Sequence, residues 1–134
     1  MASIARSSAS LRIFGDLEPD EISFLLGGQP TLSYRKGDEH HGVIKRKGAW
    51  IYEVPDSEPG DLDSQICEIF EFLTHDITIW LDLVESFEVD VFTGIFMEES
   101  EEGFTLKPAT MALLTERQIS IGFDIYAPEN DELK

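Results

Sequence analysis

The chain has 134 residues, which suits one domain, and 42% of them are hydrophobic, enough to bury a core without disulfides or metals. Its formal net charge of −17 excludes a nucleic-acid-binding domain built on phosphate contacts and opposes docking on anionic membranes. A single cysteine, Cys67, excludes an internal disulfide and fits a reducing compartment. The first ten residues lack the apolar run of a signal peptide, and no stretch suits a membrane span, so we expect a cytoplasmic protein.

The charges are unevenly distributed along the chain. Residues 51–106 contain sixteen carboxylates and neither lysine nor arginine, so this segment projects a negative potential that it cannot neutralise locally. Bases concentrate earlier, at Arg35, Lys36 and residues 45–47. The acidity either keeps the protein soluble or matches a basic partner, and the bases could instead hold the acidic segment by intramolecular attraction.

The first half of the chain predicts three strands and one helix. Residues 8–14 alternate, with Leu11 and Ile13 on one face and Ser10 and Arg12 on the other, which indicates a strand. The remaining elements of this half are a helix that begins at Pro19 and stops at Gly27-Gly28, a strand over 31–36, and a strand over 48–54 that carries Trp50 and Tyr52.

The second half follows a turn at residues 55–60 and contains more helix. Its predicted elements are a helix over 61–74, a short helix over 77–86, a strand over 87–97, a helix from Pro108 to about Gln118, and a strand over 119–126. Residues 98–103 predict a charged hairpin tip, with the return strand beginning at Phe104. The residues after Ala127 predict a frayed acidic tail.

This order, β-α-β-β-α-(α)-β-β-α-β, predicts a single α+β domain with a core over about residues 10–126. We expect a mainly antiparallel sheet with helices packed on one face, because strands in hairpins mixed with amphipathic helices need such a layer. A short flexible N-terminus and the acidic tail would flank it.

Several short stretches occur together in this order along the chain. They are Leu11-Arg12-Ile13-Phe14-Gly15, Leu17-x-Pro19-x-x-Ile22-Ser23, Leu26-Gly27, Pro30-Thr31, Arg35-Lys36-Gly37-Asp38, Gly48-x-Trp50 and Phe123-Asp124-Ile125-Tyr126. From about Ser10 to Tyr126 the chain therefore resembles the small bacterial family called domain of unknown function 4279. The resemblance implies a bacterial, soluble, single-domain α+β protein, and it carries no catalytic site across.

Some residues of these stretches have polar or amphipathic side chains that a core does not explain. They are Arg35, Lys36, Asp38, Trp50, Asp124 and Tyr126. They either form a turn that closes a hairpin, with an aromatic lid on the sheet edge, or they form a ligand or partner site.

The strand patterns also predict which residues share the sheet face that the helices leave open. That face would present Arg12, Glu88, Asp90, Asp124 and Tyr126. Acids beside an arginine and a tyrosine could bind a cationic ligand or perform acid–base chemistry. The alternative is that Arg12 forms cross-strand ion pairs with these acids.

Other candidate chemical groups favour structural roles. Residues 38–41 collect metal-capable side chains, but neighbours in an extended loop point in opposite directions, so we expect no metal site. Cys67 predicts a core residue, because nearby carboxylates oppose thiolate formation. His75 suits a helix C-terminus. With no nucleophile or phosphate-loop motif, we expect no cofactor and lean against an enzyme.

The leading hypothesis is a non-catalytic protein-binding module that engages a basic protein partner, with an immunity- or antitoxin-like role as a special case. The alternative is a small-ligand-binding or enzymatic domain that uses the open sheet face. A third interpretation, an assembly subunit with a self-pairing edge strand, stays open, and so does the oligomeric state.

Overall fold

The central five-stranded sheet organises the chain, for which a computed structural model describes residues 2–128. In chain order the elements are β1 (Ala2–Ser3), β2 (Arg6–Gly15), α1 (Pro19–Leu26), β3 (Leu32–Tyr34), β4 (Glu39–His40), β5 (Val43–Ile44), β6 (Gly48–Glu53), α2 (Leu62–Glu71), α3 (Ile77–Ser86), β7 (Glu88–Phe96), β8 (Glu102–Gly103), α4 (Pro108–Glu116) and β9 (Ser120–Tyr126). The predicted α+β class is confirmed, and the short strands β1, β4, β5 and β8 are additions to the predicted order.

The sheet has the order β3-β6-β2-β7-β9, with β2 antiparallel to both of its neighbours. β9 runs parallel to β7, which requires a crossover connection of the kind that α4 supplies. The predicted hairpin with a return strand from Phe104 is therefore wrong. The strand that follows the acidic turn is β8, and it pairs with β1 instead of β7.

The helices cover one face of this sheet, as predicted. α1 packs on β6, α2 on β2, α3 on β7 and α4 on β9. The alternation of β2 buries Leu11 and Ile13 toward the helices, while Arg12 and its even-numbered neighbours point away from them. The largest fully buried side chains of this core are Trp50, Trp80 and Phe70.

Local sequence signals account for most helix ends. Pro19 begins α1, and Gly27 ends it in the left-handed conformation with φ of 74°, which a residue without a Cβ adopts most readily. The carboxylate of Asp61 caps α2 by accepting from the Ser64 amide. His75 lies 3.2 Å through Nε2 from the carbonyl of Glu71, the last residue of α2, which confirms its predicted capping position.

The ordered strands extend further toward the N-terminus than residues 8–14. Ile4 is buried and β2 begins at Arg6. A buried Gln65 fastens this region to α2, because its Nε2 donates to the Ser7 and Pro55 carbonyls. Most of the predicted acidic tail, from residue 129 onward, lies outside the described residues. Between residues 2 and 128, no helix combines the length and apolar character needed to cross a bilayer.

Candidate functional site

The strand register brings five of the predicted site residues onto the open sheet face. Arg12 of β2 lies opposite Asp90 of β7, and Glu88 lies one step along the same face. Asp124 and Tyr126 extend the face onto β9, opposite Gly94 and Phe96. The predicted shared face of these five residues therefore agrees with the register.

Arg12 and Asp90 form the best-defined contact of this face. Arg12 donates from Nε and Nη2 to the two carboxylate oxygens of Asp90, at 2.8 and 2.7 Å. The guanidinium carbon also lies 4.4 Å from the ring centroid of Phe92. The hydrogen bonds to Asp90 raise the pKa of Arg12, and the charge of Asp124 acts in the same direction. The predicted cross-strand ion pair is thus confirmed.

A second arginine, which sequence reasoning missed, lies on the same face. The guanidinium carbon of Arg6 is 3.8 Å from the centroid of Phe96, and the Phe96 ring stacks on Tyr126 at 4.7 Å between centroids. Arg6 Nη1 also donates to Asp56 at 2.9 Å. The alternation of β2 could have identified Arg6, because Arg6 and Arg12 both occupy even-numbered positions, whose side chains point to the open face.

Trp50 does not belong to the open face. Its side chain is 0% exposed, and its indole Nε1 donates to Ser23 Oγ of α1 at 3.0 Å. β6 places Trp50 opposite Ile13 on the helix side of the sheet. The prediction that Trp50 contributes to a surface site is therefore wrong, because no ligand on the open face can contact it.

Arg35 and Asp38 form a turn after β3, separate from the Arg12–Asp90 pair. The Asp38 carboxylate accepts from the Arg35 backbone amide at 2.8 Å. The Arg35 side chain donates through Nε to both carboxylate oxygens of Glu18, at 2.8 and 3.0 Å. Those hydrogen bonds lower the pKa of Glu18 and raise that of Arg35. These contacts match the interpretation of the residues as a turn.

Lys36 reaches a different neighbourhood from Arg35. It lines a surface depression together with Arg46, Lys47 and Glu88. Lys47 Nζ lies 2.7 Å from the carboxylate of Glu88. The basic run therefore meets the acidic segment at this corner of the open face.

Most carboxylates of residues 51–106 form no ion pair within the described part of the chain, residues 2–128. Of the sixteen acids in residues 51–106, four (Asp56, Glu58, Glu88 and Asp90) have a lysine or arginine nitrogen within 4.0 Å among residues 2–128. We call the acids of α2, α3 and the turn between them the acidic helix layer. Its members are Asp63, Glu68, Glu71, Asp76, Asp82 and Glu85.

Two exposed phenylalanines lie on the same side as the acidic helix layer. Phe24 of α1 is 86% exposed and Phe72, at the C-terminal end of α2, is 60% exposed. The ends of these helices abut, because the Thr74 amide donates to the Leu26 carbonyl at 2.8 Å. Each phenylalanine lies two residues before one end of that hydrogen bond, so the backbones that carry the two side chains come close together.

Cys67 and the histidines are further groups whose chemistry suits catalysis or metal binding. Cys67 is half-buried on α2, and its Sγ lies 3.3 Å from Thr110 Oγ1. His40 stacks on Tyr34 at 5.9 Å between ring centroids. Across residues 2–128, no three histidine, cysteine, aspartate or glutamate side chains are grouped closely enough to hold a metal ion.

Comparison with known proteins gives a family and nothing beyond it. Neither the curated proteins nor the solved structures provide a significant match. A family model described as a domain of unknown function (DUF4279) matches residues 5–128, nearly the whole chain. The match spans the complete five-stranded sheet and all four described helices. The chain therefore belongs to the DUF4279 family.

Proposed function

We propose that this protein is a non-catalytic protein-binding module whose acidic helix layer engages a basic protein partner. The observation that carries the proposal is that its six carboxylates have no lysine or arginine within ion-pair distance among residues 2–128. Six like charges on two short consecutive helices and the turn between them repel one another. A basic partner would relieve that repulsion and would be steered toward the surface before contact.

Intramolecular neutralisation does not account for the acidic helix layer. In the basic run of residues 45–47, Lys47 pairs with Glu88 on the open face, and Lys45 lies 4.8 Å from the ring centroid of Tyr34. Both contacts are on the sheet and its edge. Two of the three bases of this run are therefore engaged away from the acidic helix layer, which favours a layer available to a partner.

The exposed phenylalanines supply the apolar part of such an interface. Stable interfaces place aromatic side chains at their centre and charged groups around the rim. Phe24 and Phe72 would provide that centre, with Asp20, Glu21 and Glu71 nearby in sequence. In the finer form of the proposal, the protein is bacterial and the partner is a toxin with a basic, nucleic-acid-binding cleft.

The test compares two variants that remove equal charge. Asp82→Asn/Glu85→Gln alters the acidic helix layer, whereas Glu98→Gln/Glu99→Gln alters the exposed turn after β7. Each immobilised protein is incubated with native lysate at low and high salt, and the retained proteins are quantified by mass spectrometry. We expect a basic protein that wild type and the turn variant retain at low salt and that the helix variant loses.

The purified partner then allows a kinetic test. Its association rate should fall steeply as salt rises, and Phe72→Ala should speed dissociation without changing that salt dependence. Equal retention by both charge variants, or an association rate independent of salt, would contradict the proposal.

A second candidate function uses the open face. A cleft of about 490 Å³ at its edge contains Arg12, Glu88 and Asp90, and this volume falls in the range of small-ligand sites, roughly 300–1,000 Å³. Such a site would bind a small cationic ligand at Glu88, in competition with the ion pair that Glu88 forms with Lys47. Glu88→Gln should then weaken binding, whereas Asp124→Asn, outside the cleft, should not. Equal effects of the two substitutions, or none, would remove this candidate.

A further inference from the structure

Arg117, just after α4, has an unusual environment for a base in a strongly acidic protein. Its side chain is 3% exposed, and no carboxylate between residues 2 and 128 lies within 4.0 Å of it. Nη1 donates to the Leu113 carbonyl at 3.1 Å, whereas the buried Nε has no hydrogen-bond partner. A buried cation thus lacks both a counter-ion and part of its hydrogen bonding.

The surroundings of Arg117 stabilise the charge only partly. The guanidinium carbon lies 4.8 Å from the ring centroid of Phe70 and 5.6 Å from that of Trp80, so the faces of two aromatic rings attract it. Burial nevertheless lowers the pKa of Arg117, although the charge of Glu116 acts in the opposite direction. The aromatic rings attract the guanidinium without supplying a counter-ion, which leaves it free to pair with an anion.

A cleft opens onto this arginine. It has a volume of about 460 Å³ and lies between α2, the start of α3 and the end of α4. Arg117 lines it together with the apolar side chains of Phe70, Ile77 and Leu113. Its other lining residues are Cys67, Glu71, His75 and Glu116. The cleft therefore combines one buried cation with apolar side chains and a polar rim, as in many sites for small amphipathic ligands.

We propose that this cleft binds a small organic monocarboxylate, with the carboxylate on Arg117 and an apolar tail against Ile77 and Leu113. The planar guanidinium suits a carboxylate because it can donate two parallel hydrogen bonds to it. The cleft shares only its rim residue Glu71 with the acidic helix layer, and this proposal does not depend on the proposed partner contact.

The acids of the same cleft decide between carboxylate and phosphate. Glu71 and Glu116 also line it, and both are exposed at its rim. A phosphate monoester carries almost two negative charges at neutral pH, so these glutamates repel it about twice as strongly as a monocarboxylate. The rim therefore selects the singly charged ligand.

The direct test uses 3-phenylpropionate as the probe and 3-phenyl-1-propanol as its neutral analogue. Binding is followed by two-dimensional ¹H–¹⁵N NMR, in which the Nε–H of Arg117 gives its own resonance. We expect a saturable shift of that resonance with the carboxylate and at least tenfold weaker binding of the alcohol. Equal affinity for the two compounds, no saturable shift, or tighter binding of inorganic phosphate would overturn the proposal.

Three variants extend the test, and two of them leave Arg117 unchanged. Glu71→Gln/Glu116→Gln removes the rim repulsion and should raise affinity for 3-phenylpropionate several-fold. Asp82→Asn/Glu85→Gln removes the same charge outside the cleft and should leave affinity nearly unchanged. Arg117→Met should abolish binding while keeping the far-ultraviolet circular dichroism spectrum. Equal effects of the two double variants, or binding by a folded Arg117→Met protein, would overturn the proposal.

Discussion

Arg12 and Asp90 meet across β2 and β7 through two nearly equal hydrogen bonds, at 2.8 and 2.7 Å. This bidentate ion pair fixes both side chains on the open face of the sheet. The ion pair also occupies the Asp90 carboxylate, which could otherwise bind a cationic ligand. The Arg12–Asp90 ion pair therefore links the side chains of β2 and β7 and has a structural role.

The coupling free energy of the Arg12–Asp90 ion pair can be measured by a double-mutant cycle with Arg12→Gln and Asp90→Asn. The two side chains are 30% and 32% exposed, so we expect a coupling free energy of about 1 kcal/mol in urea unfolding. The Lys47–Glu88 pair is the control, because its side chains are 55% and 70% exposed. Its coupling should stay below about 0.5 kcal/mol. Equal coupling in both cycles would show that the bidentate geometry adds nothing.

The Glu18–Arg35 pair predicts a local pH dependence. Hydrogen bonds from Arg35 hold the pKa of Glu18 below its ordinary value of 4.5. A lowered pKa in the folded state adds stability above the ordinary value, and that stability is lost as pH falls through the lowered value. Titration of the Glu18 carboxyl by ¹³C NMR should show the lowered pKa in wild type and its return toward 4.5 in Arg35→Gln. Lys36→Gln removes the same charge and should leave it lowered; identical titrations in all three proteins would contradict the assignment.

The buried indole of Trp50 depends on Ser23 for its hydrogen bond. Ser23→Ala leaves that donor unpaired in the core, so we expect a loss of about 1–2 kcal/mol in the free energy of unfolding. In a Trp50→Phe background the same substitution should cost less than about 0.5 kcal/mol, because no donor remains to be satisfied. The two differences are measured by urea unfolding. If Ser23→Ala lowers the free energy of unfolding equally in both backgrounds, loss of the hydrogen bond to Trp50 is not the cause of the destabilisation.

Arg117 predicts an unusual stability effect for a buried residue. Replacing an unpaired buried charge by an apolar side chain of similar length is neutral or stabilising, so Arg117→Met should gain about 0–2 kcal/mol in unfolding free energy. Arg46→Met, which removes an exposed base, controls for the increased net negative charge. Denaturant unfolding measures both. A loss of more than about 2 kcal/mol relative to the control would show that the guanidinium is already compensated.

Local sequence patterns determined the elements and the faces of several strands. Pro19 marks the start of α1, because its fixed φ suits the first turn of a helix and its missing N–H is not needed there. Gly27 marks the end, because a residue without a Cβ readily adopts the left-handed conformation. The alternation of polar and apolar residues placed Arg12 and Asp90 on the open face. These signals need no knowledge of the rest of the chain, because they depend on neighbours within a few residues.

Tertiary structure decided what local patterns could not. In β6 both faces of the strand are apolar around Trp50, so alternation alone could not tell which side is buried. β9 joins the sheet parallel to β7 because α4 carries the chain back across it, and that pairing spans residues far apart in sequence. Arg117 follows a helix end and resembles an ordinary C-terminal base. Only the packing of α2 and α3 around it makes it a buried, unpaired cation.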